Sequence, residues 1–312
     1  MTRNLTFVAD LRGLFIKLTY LRTRRTLFSW PREVLTPMET KPAATVVLVT
    51  STRDEASATI AKGLLKNHDF ESTKIAFKGK PVFQRGNLLL VTVDTELIDP
   101  PDLDEYFNPR AYVFLSRHRS ESGIPALTVH TTGNFTGDVV LGGRAREVGR
   151  VDPDLQKNYL VALDRRRKEI PDYDITIEAT HHGPTSLKKP VLFVELGSSE
   201  GQWGDERAGA VVGDALVEAL DQGRSWDKVA IALGGTHYPA KVNELLLTTD
   251  MAVTTVVSRH SLDGLDSEMF GQVIQKTTRF PRFVTVDWKG MGGNKERVLG
   301  LAKQFALEVI RL

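Results

Sequence analysis

Short apolar runs rich in β-branched residues recur along the chain, each bounded by turn or capping residues. Thr45–Val49, Leu88–Val93, Tyr112–Leu115, Ala126–Val129, Ile175–Thr180, Val191–Leu196, Val229–Leu233, Val253–Val257 and Phe283–Asp287 read as strands. Between several of them the apolar spacing changes to the helical period. Ser51-Thr-Arg-Asp54 places capping residues before Ala and Leu at helical spacing as far as Leu65. The segment from Asp152 to Lys168 opens on Asp-Pro-Asp and closes on Arg165–Lys168, an order that suits the helix dipole. Asp205–Leu220 and Asn294–Leu312 complete the predicted helices. The alternation predicts an α/β fold: a three-layer α/β/α sandwich whose mostly parallel or mixed sheet is covered on both faces. No internal repeat, low-complexity tract or Pro/Gly/Ser-rich linker divides the body, so residues 44–312 are expected to form a single domain.

The beginning of the chain breaks this pattern. Residues 1–37 hold seven Lys/Arg and two acids, interspersed with Leu, Phe, Ile and Trp30. The formal charge of the whole chain is +2, yet residues 38–312 carry 34 basic and 37 acidic residues, a net of −3. Residues 1–43 are therefore expected to be a basic extension: a start set too early, with Met38 as the first residue, a transit-type peptide, or a disordered arm for nucleic acid. The longest apolar stretches run about six to eight residues, too short to span a bilayer, so no membrane role is expected.

There is no cysteine. Disulfides, thiolate nucleophiles, iron–sulfur clusters and Cys-type zinc sites are excluded, and any metal must be held by His, Asp or Glu. P-loop, G-x-G-x-x-G and H-E-x-x-H motifs are also missing, which disfavours the chemistries they carry.

The candidate chemistry lies in the histidines. Of seven, His118, His130, His181, His182, His237 and His260 follow or sit within three residues of the end of an apolar run. Ligands of open α/β sheets bind beyond the carboxyl ends of strands, so a shared rim is expected there. His68 lies near a helix end and reads as a solvated surface residue. Glu178 and Glu195 interrupt otherwise apolar strands, and a buried carboxylate must be paired, protonated or metal-bound. With Cys absent, His plus carboxylate is the ligand chemistry zinc uses. An ion network with Arg117 or Lys188 is the alternative for these two carboxylates. Adjacent His181 and His182 point different ways from an extended backbone, so one could bind metal while the other acts as base or orienter. Gly183-Pro184 then imposes a tight turn before Thr185. Gly234-Gly235 permits close approach of a ligand and offers N–H donors to an oxyanion or phosphate.

Arg144, Arg146, Arg150, Lys157, Arg165, Arg166, Arg167 and Lys168 cluster in sequence, and Lys188 and Lys189 follow the His-His loop. This is usually a solvated face. Beside the expected site it suits an anionic polymer.

Several separated blocks together resemble the D-aminoacyl-tRNA deacylases of archaeal and plant type. They are Phe114-Leu-Ser-Arg-His118 with Pro125-Ala-Leu-Thr-Val-His130 and Thr132-Gly-Asn134; Glu178-Ala-Thr-His-His-Gly-Pro-Thr185; Glu195-Leu-Gly-Ser-Ser-Glu200 with Trp203; Gly234-Gly-Thr-His-Tyr238; and Val286-Asp-Trp-Lys-Gly290. The likeness runs from about Thr45 to about Leu307. Where the family usually reads Gly-Gly-Gly-His, this chain has Thr236 before His237, and His260 falls outside the pattern.

The resemblance implies a fold of the phosphorylase and peptidyl-tRNA hydrolase type. It implies a zinc-dependent, monomeric, cytoplasmic esterase that cleaves a D-amino acid from the tRNA 3′ end. On that basis His118, His130, His181, His182 and Glu195 are the expected zinc ligands, and His181, His182, Glu178 and His237 the expected catalytic residues. Gly183, Thr185, Gly234, Gly235, Arg117 and Lys188 are the expected substrate contacts. The alternatives are a zinc-dependent amino- or carboxypeptidase-like hydrolase and a non-catalytic tRNA-binding protein.

Overall fold

The computed structural model describes residues 33–35 and 45–312 apart from Val140. Most of the expected extension 1–43 therefore lies outside the described residues. In chain order the first elements are β1 (Glu33–Leu35), β2 (Val46–Ser51), α1 (Glu55–Asn67), β3 (Glu71–Phe77), β4 (Lys80–Arg85), β5 (Leu88–Val93) and β6 (Ala111–Arg119). Then follow β7 (Ala126–His130), β8 (Gly133–Asn134), β9 (Glu147–Val148), α2 (Pro153–Arg165), β10 (Asp174–Ile177), β11 (Val191–Ser198), α3 (Glu200–Trp203) and α4 (Glu206–Gln222). The last are β12 (Lys228–Leu233), α5 (Ala240–Thr248), β13 (Met251–Val257), α6 (Ser267–Gln275), β14 (Phe283–Val286), α7 (Lys295–Gln304) and β15 (Glu308–Arg311).

The fold is α/β, with a nine-stranded mixed sheet in the order β1-β3-β4-β5-β2-β6-β11-β7-β10. A separate four-stranded sheet, β13-β12-β14-β15, is parallel throughout. With the two-stranded β8-β9 ribbon, three sheets among the described residues thus replace the single expected one. Strand β1, inside the expected extension and before Met38, pairs parallel to β3. The closing helix ends at Gln304 instead of Leu312. Ala306 takes a left-handed φ of 55°, and the β-branched Val309 and Ile310 then pair with β14 as β15.

Side-chain alternation divides the large sheet by face. Val113, Leu115, Leu127, Val129, Val194 and Leu196 point into a core shared with α1, α2 and α4. Asp54 caps α1, its Oδ1 accepting from the Ser57 amide at 2.9 Å. The opposite face carries Val47, Val49, Leu89, Val91, Tyr112, Phe114 and Phe193, covered by Leu97, Leu103, Phe107 and Leu187 from irregular segments and a short 3-10 turn. The small sheet packs β13 against α2 and α5, while α6 and α7 join Ile231, Leu233, Val284 and Val286 on its other side.

Candidate active site

Register explains why separated motifs meet. Phe193 of β11 lies opposite Phe114 of β6 and His130 of β7, and Glu195 lies opposite Ser116 and Thr128. With a side-chain period of two, His118, Glu195 and His130 share one face of the sheet. His130 stacks on Phe193 at 5.2 Å, and Phe193 stacks on Phe114 at 4.9 Å. The site therefore joins a sheet face, carrying His118 and Glu195, to strand ends: His130 closes β7, and Glu178, His181, His182 and His237 follow β10 and β12. Because β7 runs antiparallel to β11, the carboxyl ends of these two strands point in opposite directions.

The remaining residues arrive from the ends of β10 and β12. Glu178 follows β10, its amide donating to the Val129 carbonyl at 2.9 Å. Thr132 bridges to His181. The turn after β12 uses Gly234 and Gly235 at φ 92° and 83°, left-handed backbone that favours glycine. Thr236 follows without a positive φ, so its Cβ meets no backbone penalty. The turn delivers His237, whose carbonyl accepts from the Ala179 amide at 2.8 Å.

Glu178 is buried at the middle of the cluster. Its Oε2 accepts from His237 Nε2 at 2.7 Å, and its Oε1 lies 3.1 Å from His118 Nδ1. His118 Nδ1 is also 3.4 Å from Glu195 Oε2, and its Nε2 lies 3.1 Å from the Tyr238 hydroxyl. Glu195 Oε1 is 3.4 Å from His130 Nε2. That contact and the Glu178 Oε1–His118 contact are within ion-pair range but lack hydrogen-bond alignment, so His130 Nε2 and Glu178 Oε1 remain buried without a hydrogen bond.

Burial alone would lower the pKa of His118. The facing carboxylates of Glu178 and Glu195 outweigh it and hold the imidazole at about 10. Burial alone would raise Glu178 and Glu195. The facing imidazoles overcome it, holding Glu178 well below the ordinary value and Glu195 at about 2. His181 is pushed well below its ordinary value by burial and by His130 and His182. His182 falls to about 4 through burial and the nearby His130. Glu195 likewise raises the pKa of His130 against the effect of its burial. The centre thus sets two ionised carboxylates against the charged rings of His118 and His130, beside the neutral imidazoles of His181 and His182.

The ring protons of three histidines follow from their partners. Nδ1 of His130 faces the Thr131 carbonyl at 3.1 Å, Nδ1 of His181 the Ala179 carbonyl at 2.8 Å, and Nδ1 of His182 the Gly183 carbonyl at 2.6 Å. A carbonyl oxygen only accepts, so the neutral rings of His181 and His182 carry their proton on Nδ1 and present the Nε2 lone pair, whereas Glu195 beside Nε2 of His130 raises the pKa of that ring. Donation of the second ring nitrogen to a carbonyl is the outer-shell arrangement of metal-binding histidines. The three rings can offer ligand atoms within 4.8 Å of one another, as can Glu178 with His181 and His237, and His118 with Glu178 and Glu195. The residues present therefore fit a divalent metal with nitrogen and oxygen preference.

Other expected site residues are placed differently. Thr185 is buried and committed to the neighbouring loop: its Oγ1 donates to Glu147 at 2.7 Å and accepts from the Arg144 amide at 2.9 Å. The Gly234 and Gly235 amides cannot serve as an oxyanion hole, because they already donate to the carbonyls of Val257 at 2.9 Å and Gly290 at 3.3 Å. Arg117 points to the other face of β6, where it binds Glu96 at 2.9 Å and the Arg53 carbonyl at 2.9 Å. Lys188 is exposed, with its amide on Asp104 at 2.7 Å. Gly183 packs on Gly143, and its bond to Pro184 is cis.

The basic run is dispersed. Arg165 and Arg166 pair with Glu218, Arg167 with Asp164 and Arg146 with Asp266, and Lys157 is buried. Arg144 stays exposed beside Gly183. His68 is not merely solvated but pairs with Asp214 at 2.8 Å, and His260 is exposed outside the cluster. Tyr238, given no role from sequence, contacts His118; an aromatic next to the turn histidine was the available signal.

The family model described as D-aminoacyl-tRNA deacylase matches residues 105–310, a span that contains every residue of this centre. The chain belongs to the D-aminoacyl-tRNA deacylase family. A member from Cenarchaeum symbiosum is 40% identical over 71% of this chain and 85% of its own length. One from Thermococcus onnurineus is 35% identical over 85% of this chain and 99% of its own. A solved structure described as a conserved protein of unknown function is 28% identical, with a TM-score of 0.79 over 86% of this chain and 95% of that one. The deacylase family is thus matched across both sheets.

Proposed function

We propose that this chain hydrolyses the ester of D-aminoacyl-tRNA, releasing the D-amino acid and free tRNA, with zinc held by His130, His181 and His182. The observation that carries this reading is the set of three imidazoles with Nδ1 on carbonyls, next to the Glu178–His237 pair. Family membership supports the substrate. When bound, zinc supplies a Lewis acid that polarises the ester carbonyl and lowers the pKa of a water to about 7.

The protein supplies the proton traffic. His237 donates through Nε2 to Glu178, so in the neutral ring Nδ1 carries the lone pair. His237 takes the proton of the attacking water at Nδ1, and Glu178 steadies the imidazolium that forms. The same nitrogen returns the proton to the departing ribose oxygen. His118 and Glu195 stay behind Glu178 and fix its position rather than ligating zinc. Arg144, Lys188, Lys189 and Arg259 are the proposed contacts to tRNA phosphates.

The reading includes a cytoplasmic monomer, residues 44–312 as one domain with β1 added at its edge, and a likeness to phosphorylase and peptidyl-tRNA hydrolase sandwiches. Helices alternating with strands support the last point. Among the described residues no helix is long and apolar enough to cross a membrane. The test is hydrolysis of matched D- and L-tyrosyl-tRNA before and after a chelator. Hydrolysis of the D-substrate, lost with the metal and restored by zinc, is expected. Equal rates on both substrates, or indifference to the chelator, would overturn the proposal.

A further inference from the structure

A cavity of about 470 Å³ adjoins the histidine centre, a size in the usual range for small-molecule sites, about 300–1,000 Å³. His118 and Tyr238, in contact with each other, both line it. An apolar wall is formed by Ile124 from the loop after β6, Ile175 from β10 and Leu247 from α5. Ile124 is 55% exposed, yet its backbone is pinned, because its carbonyl accepts from the Ser198 hydroxyl. An aliphatic side chain is thus held at the cavity by a fixed strut.

The charge of the lining decides between two parts of the substrate. Asp174 and Glu244 line the cavity and have no ion-pair partner among the described residues. The two lining cations are both committed: Arg167 to Asp164 through contacts at 2.8 and 2.9 Å, and His118 to Glu178 and Glu195 at 3.1 and 3.4 Å. Such a lining repels phosphate and favours a cationic amino group attached to an apolar body. Contacts order the centre in space: from the cavity, Tyr238 and His118 lead to Glu178 and then to His237 and His181. His182 and Gly183 follow, and Gly183 packs on the loop of Arg144. Tyr238 also meets His237 directly, at 5.0 Å between ring centroids, so the cavity opens onto the proton-transfer pair, while Arg144 adjoins the centre through the Gly143–Gly183 contact.

We infer that this cavity receives the aminoacyl part of the substrate, its α-amino group near Asp174 and Glu244 and its side chain against Ile124, Ile175 and Leu247. This rests on the deacylase reading, and it makes the cavity the place where side-chain size is sensed. Ser122 and Thr248 line the cavity and are exposed, so each can be enlarged without disturbing the core. In Ser122→Trp and Thr248→Trp, measured separately, the ratio of kcat/KM on D-tyrosyl-tRNA to that on D-alanyl-tRNA should fall about ten-fold or more. An unchanged ratio in both variants, whether activity is kept or lost equally on the two substrates, overturns the inference. The affinities for hydrolysis-resistant amide analogues of 3′-D-tyrosyl- and 3′-D-alanyl-adenosine should shift in the same sense. This second arm reads the cavity without turnover. A wild type that binds the tyrosyl analogue more tightly but cleaves neither ester would count against deacylation and leave the cavity assignment standing.

Discussion

His237 and Glu178 meet at 2.7 Å although they follow strands of different sheets. The Ala179 amide donates to the His237 carbonyl at 2.8 Å, the Thr180 amide to the Val256 carbonyl at 2.8 Å, and the Val256 amide to the Thr180 hydroxyl at 3.1 Å. The seam between the sheets is thus hydrogen-bonded along the segment that carries Glu178 and His181. The proton-transfer pair is set by how the two sheets dock, and not by either sheet alone.

Glu178→Gln should separate charge from shape. The amide fills the same volume and can still accept from His237, but it cannot steady an imidazolium. Hydrolysis of D-tyrosyl-tRNA in single turnover should fall by about 10²–10⁴-fold, with zinc retained and KM little changed. A rate within a few fold of wild type would remove Glu178 from the mechanism.

His182 sits at a left-handed φ of 43°, strained backbone for a residue with a Cβ. Ligand residues commonly hold such strain, worth on the order of 1–3 kcal/mol. His182→Gly and His182→Ala should both lose zinc, measured as metal per protein, and both lose activity. The glycine variant should nevertheless melt higher than the alanine variant, by a difference worth about 1 kcal/mol. Full zinc content in either variant would exclude His182 as a ligand.

Gly183 tests the loop that backs His182. A Cβ there would lie 2.3 Å from the Gly143 amide nitrogen and 2.6 Å from the Gly142 carbonyl carbon, both backbone atoms. The loop is further tied by Gly183 to the Leu141 carbonyl at 3.0 Å and by Asn134 to the Gly142 carbonyl at 2.9 Å. Gly183→Ala should cost about 1–3 kcal/mol of stability through overpacking, and kcat/KM should fall more steeply than the melting shift implies. Unchanged stability would mean that the loop yields freely.

Much of the centre was legible because its residues violate local patterns. Glu178 and Glu195 stand out as carboxylates in apolar runs, and the paired His181 and His182 stand out by themselves. What the sequence hides is long-range. The strand-end placement of His130, His181, His182 and His237 was legible, but nothing local shows that β7 runs antiparallel to β11 and so brings Glu195 and His118 onto the same sheet face. Nothing local shows that Val257 and Gly290 take the Gly234 and Gly235 amides, or that Glu218, 52 residues from Arg166, neutralises part of the basic run. The β3–β4 hairpin escaped notice because its strands are mostly polar and partly exposed, though the Lys78-Gly79 turn has the positive φ values of 47° and 78° that a tight hairpin needs. Val309 and Ile310 were absorbed into a helical pattern that had already ended at Gln304.

Lys157 offers a pH test away from the metal. Its ammonium is fully buried, donates to the Thr249 carbonyl at 2.6 Å and the Met251 carbonyl at 2.9 Å, and lies 3.7 Å from the Trp226 ring centre. Carbonyls and an aromatic face do not fully replace water, and burial lowers its pKa from 10.5 to about 8. Below about pH 8 both the folded and unfolded chains hold the proton, and the folded chain bears the cost of the buried charge. Between about pH 8 and the unfolded value of 10.5 the unfolded chain binds more protons, so this residue's contribution to stability rises with pH. The full rise is on the order of 3 kcal/mol. Tyr112 and Tyr159, whose buried hydroxyls titrate higher than in the unfolded chain, work in the opposite sense above pH 10, so wild type alone would blur the effect. The difference between wild type and Lys157→Met isolates it. The stability difference, wild type minus variant, from urea unfolding should climb from pH 8 to 10.5. Parallel curves across that range would show that the ammonium is as well solvated in the fold as in the unfolded chain.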